Sequence, residues 1–336
     1  MADAPAVRTQ HSALSTRSSY ALLLLVMLAP ASVVAGLVVG SVDLSALQLV
    51  GALSGDDGTL ASQLLWQLRG PRVAAAFACG GLLATAGVLL QVLLRNPLAD
   101  PYILGISGGA AVGALGALLL GLSLAATHSA AFAGALGAIG LVFALSIGGN
   151  GWSMARLLLT GVVLSAGFGA LISLMLTLAP SAEVKGMLFW LMGDLGNAGS
   201  PVLSWTVLLV VAGLGLWQAR SLDVLAIGEL KARTLGVAVL PLQTGIFLTA
   251  SAATATAVMQ GGSIGFVGLL VPHMLRLAGI VDYRWLLPMA ALAGGSFLTL
   301  ADTLARTVAA PIQLPVGVLT ALMGVPLLLL LLARRS

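Results

Sequence analysis

Polar positions are rare along this chain and come in clusters, and the neutral apolar stretches between them are long enough to be measured against a bilayer. A hydrocarbon core takes about 20 apolar residues as a helix. One such helix fits between Arg17 and Asp43, over roughly Tyr20 to Gly40, and Val73 to Leu94 holds a second. The uncharged run from Asp100 to Arg156 accommodates two, divided near Gly121 to His128. One more fits between Arg156 and Glu183, and another between Asp194 and Arg220. The neutral run from Arg233 to Arg276 is interrupted by Gln260-Gly261-Gly262-Ser263, a polar, glycine-rich break, and reads as two shorter spans. Trp285 to Leu304 and Leu314 to Leu332 complete a set of ten, so the pattern predicts an all-α polytopic membrane protein with both termini on one side.

Composition agrees. Of 336 residues 59% are hydrophobic and 8% charged, with a mean hydropathy of +1.09, which excludes a soluble enzyme, a DNA-binding protein and a disordered tail. The net charge of +4 rests on basic residues too scattered to form a phosphate-binding stripe, so no nucleic-acid partner is expected and the excess is a topology signal. With the N-terminus inside, Arg8, Arg17, Arg95, Arg156, Arg220, Lys231, Arg233, Arg276, Arg284, Arg334 and Arg335 are cytoplasmic. Arg69, Arg72, Lys185 and Arg306 then fall outside, together with Asp43, Asp56, Asp57, Glu183 and Asp194. The first apolar stretch is longer than a signal-peptide core and reads as an uncleaved anchor. Residues 1–19 form a cytoplasmic tail and 20–333 a single membrane domain, with small-xxx-small pairs at Gly109/Gly113 and Gly261/Gly265 expected to let helices pack closely.

The chemistry is sparse. Gly105-Ile106-Ser107-Gly108-Gly109 matches the pattern of a hydrolase nucleophile, but a nucleophile needs a base. The three histidines are His11 in the tail, His128 in an outer turn and His273 beside Pro272, so close packing is the expected role of this segment and no catalytic residue is assigned. A phosphate-cradling loop requires Gly-Lys-Ser/Thr, whereas Lys185 and Lys231 follow Val184 and Leu230, so this chain does not bind ATP in that way. Cys79 is the single cysteine and lies in an apolar run, which leaves no cysteine-based metal site. No span has a central charge; Asp302 lies near a helix end where Arg306, four residues on, can pair with it. Ser221 to Gly236 reads as either a short charged helix stopped at Gly236 or an ordinary solvated loop on the inner surface.

Several motifs in order resemble one family. Arg69-Gly70-Pro71-Arg72, Leu93-Leu94-Arg95-Asn96-Pro97-Leu98-Ala99-Asp100-Pro101 and Leu104-Gly105-Ile106-Ser107-Gly108-Gly109 are followed by Gly228-Glu229 with Ala232-Arg233-Thr234-Leu235-Gly236. Then come Gly265-Phe266-Val267-Gly268-Leu269, Val271-Pro272-His273, Ala301-Asp302 with Arg306, and Leu314-Pro315-Val316-Gly317. Together they resemble the permeases of type II binding-protein-dependent ABC importers for iron chelates, haem and vitamin B12. The resemblance implies a ten-helix permease of a bacterial inner membrane. Its partners are a second copy of itself, two ATPase subunits that carry ATP and magnesium, a periplasmic binding protein and the surrounding lipid. This chain itself then holds no cofactor and is not an enzyme.

It also implies three sets of residues. Arg69, Arg72 and Arg306 match outer-face positions that receive acidic residues of the binding protein, and are expected as exposed cations. Residues 222–235 match the coupling helices seated on the ATPase, with Leu222, Gly228, Glu229, Ala232, Arg233, Leu235 and the exit glycine Gly236. The fifth span matches the helix lining the pathway, through Thr160, Val163, Leu164, Gly167, Ala170, Leu171, Leu174, Met175 and Leu178, with Asn150, Ser153, Met154 and Ala155 at the inner gate. At any one wall position core packing is the competing reading. The cargo follows as an iron chelate, haem ahead of a ferric siderophore, with cobalamin as the alternative; a secondary carrier is the remaining rival, for which the sequence offers no ion-coupling site or polar pathway.

Overall fold

The computed structural model describes residues 5–40, 48, 51–52, 59–148, 151–152 and 154–333. The chain is almost entirely helical: α1 (Pro5–Val38), α2 (Leu60–Leu93), α3 (Ile106–Leu119), α4 (Leu124–Ser146), α5 (Met154–Leu178), α6 (Ser181–Met192) and α7 (Val202–Ile227) are followed by α8 (Glu229–Thr234), α9 (Val239–Gly261), α10 (Val267–Leu277), α11 (Tyr283–Thr307) and α12 (Val316–Ala333). Seven described helices, α1, α2, α4, α5, α7, α9 and α11, are long and apolar enough to cross a membrane, while α3, α10 and most of α12 are apolar but shorter. A 3₁₀ turn, Pro101–Leu104, leads into α3, and a two-residue antiparallel ribbon, β1 (Ile147–Gly148) with β2 (Gly151–Trp152), leads into α5.

The bundle is built around α2. Every residue from Ala75 to Leu93 is buried, because this helix is apolar on all sides and is packed by α7, α9, α10 and α11. Its glycines make that density possible: Gly80 lies against the backbone of Gly294 and Gly87 against that of Gly268, where any side chain would collide. Near its N-terminal end α2 passes through a π-helical turn, Leu64–Arg69, of a kind often found at functional sites. Near its C-terminal end Gln91 repairs a defect in α10. Pro272 has no N–H for the carbonyl of Gly268, four residues back. Gln91 Nε2 donates instead to the carbonyls of Gly268 and Leu269 (3.4 and 3.3 Å), and its Oε1 accepts from Arg276.

Several expectations need correction. α9 is a full-length helix rather than one of two short spans; only α10 is short, because the break at Gln260–Ser263 falls late in the run. The helix α6 was not expected, since its twelve residues include Glu183 and Lys185 and are too few and too polar to register as a span. Ser221 to Ile227 is the end of α7, so the inner segment divides at Gly228 and only Glu229–Thr234 is a separate helix. His128 lies within the start of α4, not in a turn. Gly109 and Gly113 do pack closely, against Gly134 and Ala130 of α4, but nothing lies near Gly265, so the second small-residue pair is not a helix contact. Cys79 is fully buried.

Candidate functional site

Two charged clusters occupy opposite ends of α2. At the first, Asp302 of α11 is 1% exposed and accepts from Arg72 Nε at 3.1 and 3.0 Å and from Arg72 Nη2 at 2.9 Å. Arg306 Nε faces the same carboxylate at 3.2 Å, one helical turn along. Arg72 also donates to Gln313 Oε1 at 2.8 Å and lies 3.8 Å from Asp194. Arg306 Nη2 donates to the carbonyl of Gly36, and Arg69 Nη1 to those of Leu37 and Val38, which ties the end of α1 to the cluster. The structure thus brings Arg69, Arg72 and Arg306 together, as expected. It does not leave them exposed: the Arg72 and Arg306 side chains are 11% and 6% exposed, because Asp302 and the open carbonyls at the end of α1 draw the guanidinium groups inward. Asp302 as the shared counterion was legible only as an Arg306 partner; its bond to Arg72 joins residues 230 apart.

Beside this cluster lies a cleft of about 620 Å³ on the α6 side. Asp194 and Gln313, both bonded to or facing Arg72, line it together with His128, Lys185 and Trp190. Lys185 sits over the Phe189 ring at 5.9 Å, so the fourth residue of the expected outer set lies at the same end.

The second cluster is at the other end. Glu229, the first residue of α8, pairs with Arg95 at 2.8 Å and with Arg233 at 3.1 Å. Gly228 has φ +133° and Gly236 φ +80°, so the helix is bounded by two left-handed residues, with open space around both. Leu222 and Ala232 are fully buried and therefore anchor this segment to the bundle; they are not part of a contact surface, which corrects their expected role. Leu230 is 79% exposed, with Leu235 and Ile227 exposed beside it. Leu230 and Arg95 were missed, although a leucine between Glu229 and Lys231 in a charged segment was the available signal. Behind this end Asp100 caps the 3₁₀ turn, accepting from the Tyr102 N–H at 2.8 Å. Burial holds the Asp100 carboxyl above the ordinary aspartate range, which that hydrogen bond partly offsets.

The expected pathway helix, α5, contrasts with α2. Only Leu157 and Gly161 are buried along it. Val163, Gly167, Ala170, Leu171, Leu174 and Leu178 are exposed and so do not pack the core of this chain, whereas Thr160, Leu164 and Met175 are half-buried and Leu164 packs against the core. Of the expected inner gate, Met154 is half-buried and Ala155 exposed at the start of α5, while Asn150 and Ser153 lie outside the described residues, as do Asp43, Asp56 and Asp57. The Ser107 hydroxyl donates to that of Ser263 at 2.8 Å, a partner that cannot act as a base. Among the described residues no group of three or more His, Cys, Asp or Glu side chains is placed to hold a metal ion.

The chain matches the model of the FecCD transport family over residues 23–334. It is 39% identical over 333 residues to the hemin transport system permease protein HmuU of Yersinia pestis, covering 94% of this chain and 95% of that one. It is 41% identical over 285 residues to the vitamin B12 import system permease protein BtuC of Escherichia coli, covering 81% and 84%. A solved structure described as an inward-facing metal-chelate type ABC transporter superimposes with a TM-score of 0.82 at 30% identity, over 94% of this chain and 99% of that chain. With its helices long and apolar enough to span a bilayer several times, this chain belongs to the FecCD transport family and is a multi-pass membrane permease subunit of a type II ABC importer.

Proposed function

We propose that this chain forms, as a homodimer in a bacterial inner membrane, the pathway by which an ATP-driven importer moves an iron chelate, haem in the first instance, from periplasm to cytoplasm. All ten apolar helices cross the membrane in this reading, with both termini cytoplasmic. The Arg72–Asp302–Arg306 end then faces the periplasm and receives acidic groups of a substrate-binding protein, and the α8 end faces an ATPase subunit that carries ATP and magnesium on a separate chain. The observation that carries the reading is the placement of two distinct charged sites at opposite ends of one buried helix, one rich in arginine and the other a small exposed helix on glycine pivots. α5 supports it from the side: a helix so little covered in one copy has an apolar, neutral face left for a second copy and a cargo pathway. Such a wall suits a shielded chelate that must slip past without binding tightly.

For the cargo, the similarity to the haem permease extends over a larger share of this chain than the similarity to the vitamin B12 permease, which favours haem. Cobalamin is the second reading, favoured by the equally high identity over the shorter match. The test is uptake by the complete complex in proteoliposomes loaded with ATP, offered haem, a ferric siderophore or cobalamin bound to the cognate binding protein. Haem uptake with no cobalamin uptake is the expected result. Cobalamin uptake alone would replace the first reading with the second.

A further inference from the structure

Four described helices end in the same turn, and one of them departs from its sequence rule. In each, an N–H reaches back five residues to a carbonyl: Asn96 to Gln91, Leu122 to Ala117, Val237 to Ala232 and Ile280 to Leu275. The residue just before that donor sits in the left-handed region, where a side chain meets the backbone and glycine does not. Gly121, Gly236 and Gly279 fill the position in three of the turns, at φ +63°, +80° and +90°. The fourth holds Arg95, at φ +48°.

Nothing in the fold requires an arginine there. The backbone would be relieved by glycine, and the ion pair that Arg95 makes is too exposed to contribute much stability, its side chain being 44% accessible and that of Glu229 32%. What the side chain does is connect. Arg95 Nη2 reaches Glu229 Oε2 at 2.8 Å, joining the C-terminal end of α2 to the first residue of α8 across 134 positions. α8 follows Gly228, half-buried at φ +133° with nothing in the space a side chain would fill. Its N–H bonds back to Leu225 in α7 and its carbonyl accepts from Ala232 in α8, so neither of these bonds spans the join and Gly228 can serve as a hinge. Buried Ala232 fixes the middle of α8, and Arg95 is the second point that sets its direction.

We propose that Arg95 is a positioning residue for energy coupling: it clamps α8 to the buried rod of α2, so that a displacement of α8 reaches the core of the bundle rather than being absorbed at the Gly228 hinge. The proposal rests on the reading of α8 as the ATPase contact. Its test uses the whole complex in proteoliposomes and compares cargo moved per ATP hydrolysed with the thermal unfolding midpoint. Arg95→Gly is expected to unfold at the same or a higher temperature while transport per ATP falls about 2- to 30-fold, the range for residues that modulate coupling. Glu229→Gln should reproduce the transport loss, and Arg95→Lys should keep most of the transport, as a charge that still reaches Glu229. Unchanged transport per ATP in Arg95→Gly would overturn the clamp, and so would a lowered unfolding temperature, which would make Arg95 a structural residue. Leu230→Asp separates the two levels: it should release the ATPase from the complex, and if the ATPase stays bound with normal transport, the α8 reading falls and the clamp with it.

Discussion

The two ends of α2 solve opposite problems with the same residue types. At the Arg72 end Asp302 is buried against two arginines; at the Arg95 end Glu229 holds two arginines in the open. A buried ion pair is costly to desolvate and very costly to break, because removal of one partner strands the other charge. An exposed pair contributes little energy but still fixes a direction. The Asp302 cluster is therefore part of the fold, and anything that docks there must do so against guanidinium groups already held in place. The Glu229 cluster is adjustable, which suits the proposed role of α8 in following a moving partner.

The largest effect should come from the buried side. Asp302→Asn removes the buried carboxylate between Arg72 and Arg306, leaving Asp194, 3.8 Å from Arg72, as the remaining counter-charge among the described residues, and is expected to cost about 3–5 kcal/mol, read as a drop in the unfolding midpoint of the solubilised protein. A change below about 1 kcal/mol, the exposed-pair range, would erase the distinction between the two ends. Next, Arg72→Glu should abolish stimulation of ATP hydrolysis by the binding protein, since it places a carboxylate where an acidic partner is to be received. Unchanged stimulation would remove docking from this cluster. Gly228→Val should leave binding-protein affinity intact and reduce transport several-fold. The surrounding space would admit the side chain, but φ +133° is a backbone conformation that a β-branched residue resists. Normal transport would show that the hinge is not needed. The smallest effect is expected for Arg233→Ala: its pair with Glu229 lies within one helical turn and is worth about 0.3–0.5 kcal/mol, so stability should barely move.

Much of the fold was legible because the bilayer imposes a length on each apolar stretch. What escaped did so for identifiable reasons. α6 is short and carries Glu183 and Lys185, so no hydropathy argument finds it, although Pro180 followed by Ser181 and Glu183 has the form of a helix start. Arg69, Arg72 and Arg306 were expected on one face from family resemblance, but their gathering and burial depend on Asp302 and on carbonyls of α1, which are far away in sequence. Leu222 and Ala232 were grouped with the coupling surface because both lie in the segment 222–235; Leu222 belongs to the end of α7 and Ala232 to α8, and which side of each helix faces the bundle is decided by packing, not by the segment. Arg95 lay within a quoted motif, but its role gave no sign, because the left-handed turn it occupies is a property of the backbone at a helix end, and glycine is the residue that normally announces it.

The central claim is that this chain is the membrane half of a machine driven from α8. The most direct measurement is the native mass of the complex obtained when the chain is expressed with its genomic neighbours and extracted gently. Two copies of this chain with two ATPase subunits is the predicted composition. A particle without any ATPase, under conditions that preserve complexes of this type, would contradict it.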